Sequence, residues 1–475
     1  MGGILSLSNP DCPTTELNEV SQSEMCKRQK ISVNVWEDIP DLIPSLPNEI
    51  SIQILARLPR NYYLNAKLVC RGWKDAVTSP ELYKVRKELG TTEEWLYVLT
   101  KGSGDKLLWY GLDPVSRKWQ RLPPVPSLTV NDGSRRGLSA LRLWSVVSST
   151  IRIAGAIRGW LGKKDSLDQT PFCGCAIGAV NGCLYVLGGF CKASTMRCVW
   201  RYDPITNTWN EVSPMCVGRA YCKTGVLNGK LYVVGGVTRD QGGLTPLQSA
   251  EVFDPHTGVW VEVPSMPFTK AHMLPTAFLA DFLKPMATGI SSYRGKLYVP
   301  QSLYCWPFFV DAGGEVYDPE TNAWVEMPMG MGEGWPARQA GTKLSVIVDG
   351  ELYALDPSSS FDSAKIKVYD SQDDSWKAIE GDIPIRDLTD SESPYLLAGL
   401  LGKLNVITKD ANQNILVLQA DRPNQNQNEN APSPQDKSSQ EHSESALPSD
   451  TNIWRVIASR NSGAAELISC QILDM

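Results

Sequence analysis

Residues 176–190 read AIGAVNGCLYVLGGF and, after a short loop, residues 199–215 read VWRYDPITNTWNEVSPM. The same design is written again as YCKTGVLNGKLYVVGGV (221–237) and AEVFDPHTGVWVEVPSM (250–266). In each copy an apolar run leads to Asn-Gly, a two-residue hairpin signal whose turn needs positive φ. A β-rich segment follows, Leu184-Tyr-Val-Leu or Leu231-Tyr-Val-Val, and a Gly pair closes it. After a variable loop comes an alternating strand ending in an aromatic residue and Asp-Pro. There Pro presets φ for a turn and the Asp side chain can bond the turn backbone. The next strand starts at Trp209 or Trp260. Each unit therefore predicts four short antiparallel strands.

The unit recurs outward in both directions. Asp113, Asp203, Asp254, Asp318 and Asp370 are each followed six residues later by a tryptophan: Trp119, Trp209, Trp260, Trp324 and Trp376. Further units run from Gly289 to Pro328, from Lys343 to Ile379, and in worn form from Tyr395 onward. These later units lack the Gly pair; Pro300-Gln301 and Leu355-Asp356 stand in its place in two of them, so their loops should differ. The spacing of roughly 50 residues suits a kelch-type propeller blade, and the units resemble kelch repeats. The first unit, from Trp95 through Gln120-RLPP, supplies only three strands, while Ala465-ELISCQIL near the C-terminus has no unit of its own. Pairing that last strand with the first unit removes an exposed sheet edge. The expected fold is mainly β: a six-bladed propeller closed by its C-terminal strand.

The chain ahead of the propeller follows another pattern. Pro47 sits at a helix start, Ile50, Ile54, Leu55 and Leu58 recur at helical spacing, and Pro59 ends the run. Leu64, Leu68 and Val69 lead to Cys70-Arg-Gly-Trp73, and Ser79-Pro-Glu opens one more helix with an N-cap. The stretch LPNEISIQILARLPRNYYLNAKLVCRGWKDAVTSPEL (46–82) resembles the F-box. That resemblance implies docking on a Skp-type adaptor and, through it, a cullin. Leu46, Pro47, Ile50, Pro59 and the Val69, Cys70, Trp73 segment are expected on the adaptor face, with Ile54 and Leu58 shared between that face and the small core. An F-box followed by kelch repeats resembles the substrate receptor of an SCF-type ubiquitin ligase, with an unnamed protein target held by the propeller. The chain divides accordingly into a mobile segment (1–42), an F-box (43–88) and the propeller (89–475).

Composition narrows the alternatives. The net charge is −6, which speaks against bulk nucleic-acid binding. There is no run of 18 apolar residues and no secretory signal. The 12 cysteines show no framework spacing, which points to reduced thiols in the cytoplasm or nucleus. Cys173, Cys175, Cys183, Cys191 and Cys198 cluster without a histidine and read as strand filler, not a metal site. The three histidines, His256, His272 and His442, are not placed to share a metal or a nucleophile, so neither cofactor nor catalytic residue is expected. A propeller enzyme is the least favoured reading.

Three segments lie outside the repeat. The insert 127–170 carries seven basic residues and no acidic one between Arg135 and Lys164, with Leu143, Val147, Thr150, Ala154, Ile157 and Leu161 on one helical face. It can pack on the propeller, receive an acidic partner or lie on a membrane. Met1-Gly2-Gly3-Ile4-Leu5-Ser6 fits a myristoylation pattern at Gly2, which keeps a membrane-associated or structural scaffold in view. The polar loop 422–450 is expected to be disordered. For the target, the loops leading into each blade offer Arg219, Lys270, His272 and Arg338, the last near Trp335. Cations beside an aromatic would suit an acidic segment.

Overall fold

The computed structural model of the chain describes residues 41–102, 107–126, 174–191, 194–240, 243–267, 286–305, 308–335, 345–356, 365–379, 383, 395–420 and 453–475. The insert 127–170, the loop 422–450 and the N-terminal segment up to residue 40 lie outside the described residues.

Four helices come first: α1 (Asn48–Ala56), α2 (Tyr63–Val69), α3 (Arg71–Val77) and α4 (Pro80–Glu88). Six sheets follow in a ring. Blade 2 is ordered Ala176–Val180, Cys183–Leu187, Val199–Asp203, Thr208–Val212, and blade 3 is ordered Lys223–Leu227, Lys230–Val234, Ala250–Asp254, Val259–Val263. Blade 4 splits its first strand into Met286–Ala287 and Ser291–Tyr293, both paired with Lys296–Cys305, before Phe308–Asp318 and Ala323–Glu326. Blades 5 and 6 begin at Ser345–Val348 and Leu396–Leu400. In blade 1 the strand order is Glu466–Asp474, Glu94–Lys101, Leu107–Leu112, Trp119–Arg121. The C-terminal strand thus completes the first blade, with Trp95 opposite Leu473 and Val98 opposite Cys470. First strands of successive blades touch in turn all the way round, so they line the axis.

The turn chemistry explains why the strands reverse where they do. The inner hairpins place both central residues at positive φ: Asn181 and Gly182, Asn228 and Gly229, Arg294 and Gly295, Asp349 and Gly350, Leu401 and Gly402. That is the turn that matches strand twist. At the outer hairpins the Asp side chain accepts the N–H two residues on, at 2.8–2.9 Å in Asp113, Asp203, Asp254, Asp318 and Asp370. The tryptophan that follows reaches out of its own blade. Trp209 Nε1 donates to Pro123, Trp260 to Ser213, Trp324 to Pro264 and Trp376 to Met331, each a backbone oxygen in the preceding blade or the link leaving it. Trp119 Nε1 donates to the Ser459 carbonyl across the closure between blades 1 and 6, at 3.1 Å.

The Gly pairs have a packing reason. A Cβ on Gly236 would stand 2.6 Å from the Ala220 carbonyl oxygen, because the link into blade 3 crosses directly over the pair. Beyond each pair a two-stranded ribbon forms, Phe190–Cys191 with Ser194–Thr195 and Val237–Asp240 with Gly243–Pro246. In blade 4, where Pro300-Gln301 replaces the pair, the blade strands themselves run on to Cys305 and Phe308 as one long hairpin.

Two outcomes are expected. Leu401 is 55% exposed at φ 53, a conformation that costs a branched residue on the order of 1 kcal/mol. Leu401→Asn should therefore raise stability by a similar amount in urea unfolding. A chain ending at Gly463 should aggregate and lose cooperative unfolding, because Glu94–Lys101 becomes an open edge.

Candidate functional site

The helical domain builds its core from one side only. On α1 the buried residues are Ser51, Ile52, Leu55 and Ala56, and the last three pack with Leu42, Tyr63, Ala66, Ala76, Val77 and Leu82. Pro47 is the N-cap of α1 and stands one step outside the first helical position expected for it. Leu58 and Trp73 lie partly buried against this core. Ile54 does not share in it: it is 40% exposed, and Ile52, two residues and about 200° away on the helix, takes the inward place. Trp73 is anchored by its Nε1, which donates to the Leu42 carbonyl at 2.6 Å. Cys70 caps α3, its Sγ accepting from the Trp73 N–H at 3.3 Å.

What remains outside is apolar. Thirteen large hydrophobic side chains are exposed among the described residues, and six of them lie between Ile50 and Val69: Ile50, Ile54, Tyr62, Leu64, Leu68 and Val69. Leu68 is the most open of these. Pro47 and Cys70 are also exposed, while Leu46 and Pro59 are half-buried. Tyr62, Leu64 and Leu68 were not among the expected contact residues. The i, i+4 spacing of Leu64 and Leu68 carried the signal, since an apolar pair on a short helix must face either a core or a partner.

The helices dock on the propeller by polar contacts away from that stripe. The Arg60 side chain donates to the Pro204 carbonyl, Lys67 Nζ to that of Ile205 at 3.4 Å, and the Tyr83 hydroxyl to that of Asp474 at 3.0 Å. Burial, and then the nearby Arg60 and Lys74 charges, lower the Lys67 pKa. Pro204 and Ile205 belong to an outer hairpin turn, and Asp474 ends the closing strand. In an antiparallel four-stranded blade the first and third turns share one end. The helical domain therefore occupies the hairpin-turn end, and the links between blades open at the opposite end.

Arg219 lies at that opposite end but is not available there, which corrects the expected role in target binding. It is fully buried, with Nη2 2.7 Å from Glu251 Oε1. Its Nη1 donates to the Gly235 and Ser249 carbonyls at 3.1 and 2.7 Å, and Glu251 also accepts the Cys216 and Val217 N–H groups. The guanidinium ties the link into blade 3 to the Gly pair. Trp335 is likewise no surface aromatic: it is 4% exposed and stacks edge-on against Trp376 at 5.6 Å. Lys270, His272, Arg338 and Gly2 lie outside the described residues. Among the described residues no group of three or more His, Cys, Asp or Glu could hold a metal. Burial pushes the Cys198 thiol up to about 11, away from the thiolate a metal needs.

Residues 43–85 match the family model of the F-box domain, and residues 160–417 match that of the FKB95 kelch-repeats domain. The chain is 60% identical to the F-box/kelch-repeat protein At1g22040 of Arabidopsis thaliana over 478 aligned residues, spanning 100% of each chain. It is 28% identical to the F-box protein AFR of the same plant, over 67% of this chain and 70% of that one. It is 29% identical to the F-box/kelch-repeat protein At1g30090, over 66% and 64%.

Because Arg219 is the side-chain cation that faces Glu251 among the described residues, its removal leaves a buried carboxylate uncompensated. Arg219→Ala should destabilise the propeller by about 3–5 kcal/mol in urea unfolding.

Proposed function

The chain belongs to the F-box/kelch-repeat family, and from that premise we propose that it is the substrate-recognition subunit of an SCF-type cullin ubiquitin ligase. In this reading the helices dock a Skp-type adaptor and, through it, a cullin, while the propeller holds a target protein. The observation that carries it is the apolar stripe of Ile50, Ile54, Leu64, Leu68 and Val69, left open on helices whose opposite side is already filled. Fully burying an exposed side chain of this kind is worth about 1.5–3 kcal/mol, and roughly half that where it is already half covered, as Ile50 and Ile54 are, so the stripe together can support a stable complex. A second support is the placement of the helices at the hairpin-turn end. The helices thus leave the opposite end of the ring uncovered.

No catalytic residue is required of this chain under that reading. A receptor accelerates transfer by proximity, raising the effective concentration of a target lysine beside the charged carrier enzyme. The cytoplasm or nucleus is the corresponding place of action. The target is taken at the link loops, where Lys270, His272 and Arg338 would suit an acidic segment.

The test is adaptor binding by the full chain. Ile50→Asp with Ile54→Asp, both at exposed positions, should weaken a Skp-type adaptor by about 100-fold, matching the loss of two apolar contacts. The unfolding midpoint should stay unchanged. Undiminished adaptor binding by that double variant would refute the assignment.

A further inference from the structure

The junction between the helices and the propeller is built around one carboxylate. Glu93 Oε1 accepts the backbone N–H of Arg60 at 3.0 Å and lies 3.3 Å from Arg86 Nη2. Glu93 Oε2 accepts Trp95 Nε1 at 3.0 Å. The Glu93 backbone pairs with Met475 in both directions, N–H to O at 2.8 Å and O to N–H at 3.0 Å. One residue thus holds α2's approach, α4, the first propeller strand and the end of the closing strand.

Arg86 completes the joint from the helical side. It is 4% exposed. Its Nη1 donates to the Ala56 and Leu58 carbonyls at 3.0 and 2.7 Å and to the Tyr63 hydroxyl at 2.9 Å, and its Nη2 donates to Thr91 at 2.6 Å. Its guanidinium also lies 5.5 Å from the Tyr63 ring centre. Burial raises the Tyr63 pKa, with the Arg86 charge opposing it. These bonds span the end of α1, the start of α2, α4 and the connection into the propeller.

Such a joint is more than the docking of a small domain needs. Domains linked through a small polar contact move relative to one another by default. A buried, fully bonded arginine–carboxylate pair does the reverse: it adds little net stability and fixes one geometry. We propose that Arg86 and Glu93 are positioning residues for ubiquitin transfer, holding the propeller at one fixed angle to the adaptor-binding helices. The proposal rests on the ligase reading above. It adds that the closing strand is part of the device, because Met475 anchors the Glu93 backbone. An open ring would then loosen the angle even with the helices intact.

The exposed lysines around the ring serve as the probe. Lys118 lies in blade 1, Lys230 in blade 3, Lys377 in blade 5 and Lys403 in blade 6. The full chain is assembled with a Skp-type adaptor, a cullin scaffold and ubiquitin-charged carrier enzyme, and the modified lysines are read by mass spectrometry. The wild type should concentrate ubiquitin on the lysines at one side. Glu93→Ala should spread it over the ring, shifting the ratio between favoured and disfavoured lysines by tenfold or more, with adaptor affinity unchanged. Arg60→Ala with Tyr83→Phe removes only docking bonds and should spread it in the same sense, which covers the case that Glu93→Ala fails to fold. An unchanged lysine pattern in a folded variant would overturn the proposal. Should the wild type neither bind the adaptor nor carry ubiquitin, the ligase reading fails, and the joint is then judged by hydrogen exchange at the Arg60 amide. Exchange there should be at least tenfold faster in Glu93→Ala, and an unchanged rate would sink the joint as well.

Discussion

The indole N–H that leaves each of blades 1 to 5 for a neighbour is the interaction on which the ring depends. A propeller blade is a small twisted sheet with two apolar faces and cannot bury either alone. Packing supplies the attraction between blades but little angular definition. The Trp119, Trp209, Trp260, Trp324 and Trp376 bonds add direction, each fixing an outer strand against a carbonyl of the neighbouring blade. The Asp turn six residues earlier sets where each indole starts. Tyr202, Tyr317 and Tyr369 brace those turns at 2.7 Å to Asn207, Asn322 and Asp374. Closure then follows from geometry: the first and sixth blades meet, and Trp119 makes across that seam the same bond that Trp209, Trp260, Trp324 and Trp376 make between blades 1 to 5.

A ring made this way has two unlike ends, and the division of labour follows. Tight hairpins crowd one end, where residue choice is narrow because positive φ is required. The links between blades leave from the other, where length and sequence are free to vary. The helical domain enters through Glu94–Lys101, whose start lies at the hairpin end, so chain connectivity brings the helices to the end away from the links, where the Arg60, Lys67 and Tyr83 bonds then seat them.

Much of this was legible in the residues. The Asp-to-Trp offset, the Asn-Gly signals and the unpaired strand at the C-terminus fixed blade number and closure, because turn chemistry and edge pairing are local rules. The polar interior was not legible. Arg219 reads as a loop cation in sequence, and only the approach of Glu251, 32 residues on, turns it into a structural tie. Ile54 and Ile52 differ by two positions on one helix, and which of them faces inward depends on where α4 lies, which no local pattern states. Glu93 is a plain acidic residue until Arg86, Arg60, Trp95 and Met475 converge on it.

The small helical domain shows why that convergence was needed. About 45 residues bury too little surface to fold with margin even when every apolar side chain points inward. Here Ile50, Ile54, Leu64, Leu68 and Val69 point outward, so the domain forgoes several kcal/mol of its own burial to keep a face open. The deficit has to be met elsewhere. Arg86 satisfies the carbonyls at the end of α1 that a short helix otherwise leaves to water, and Cys70 and Ser79 cap α3 and α4. Glu93 carries that network into the propeller. An open apolar face, a marginal core and a buried ionic joint thus occur together: the joint adds little net stability of its own, and what it supplies is one fixed seat for a small domain against the larger propeller.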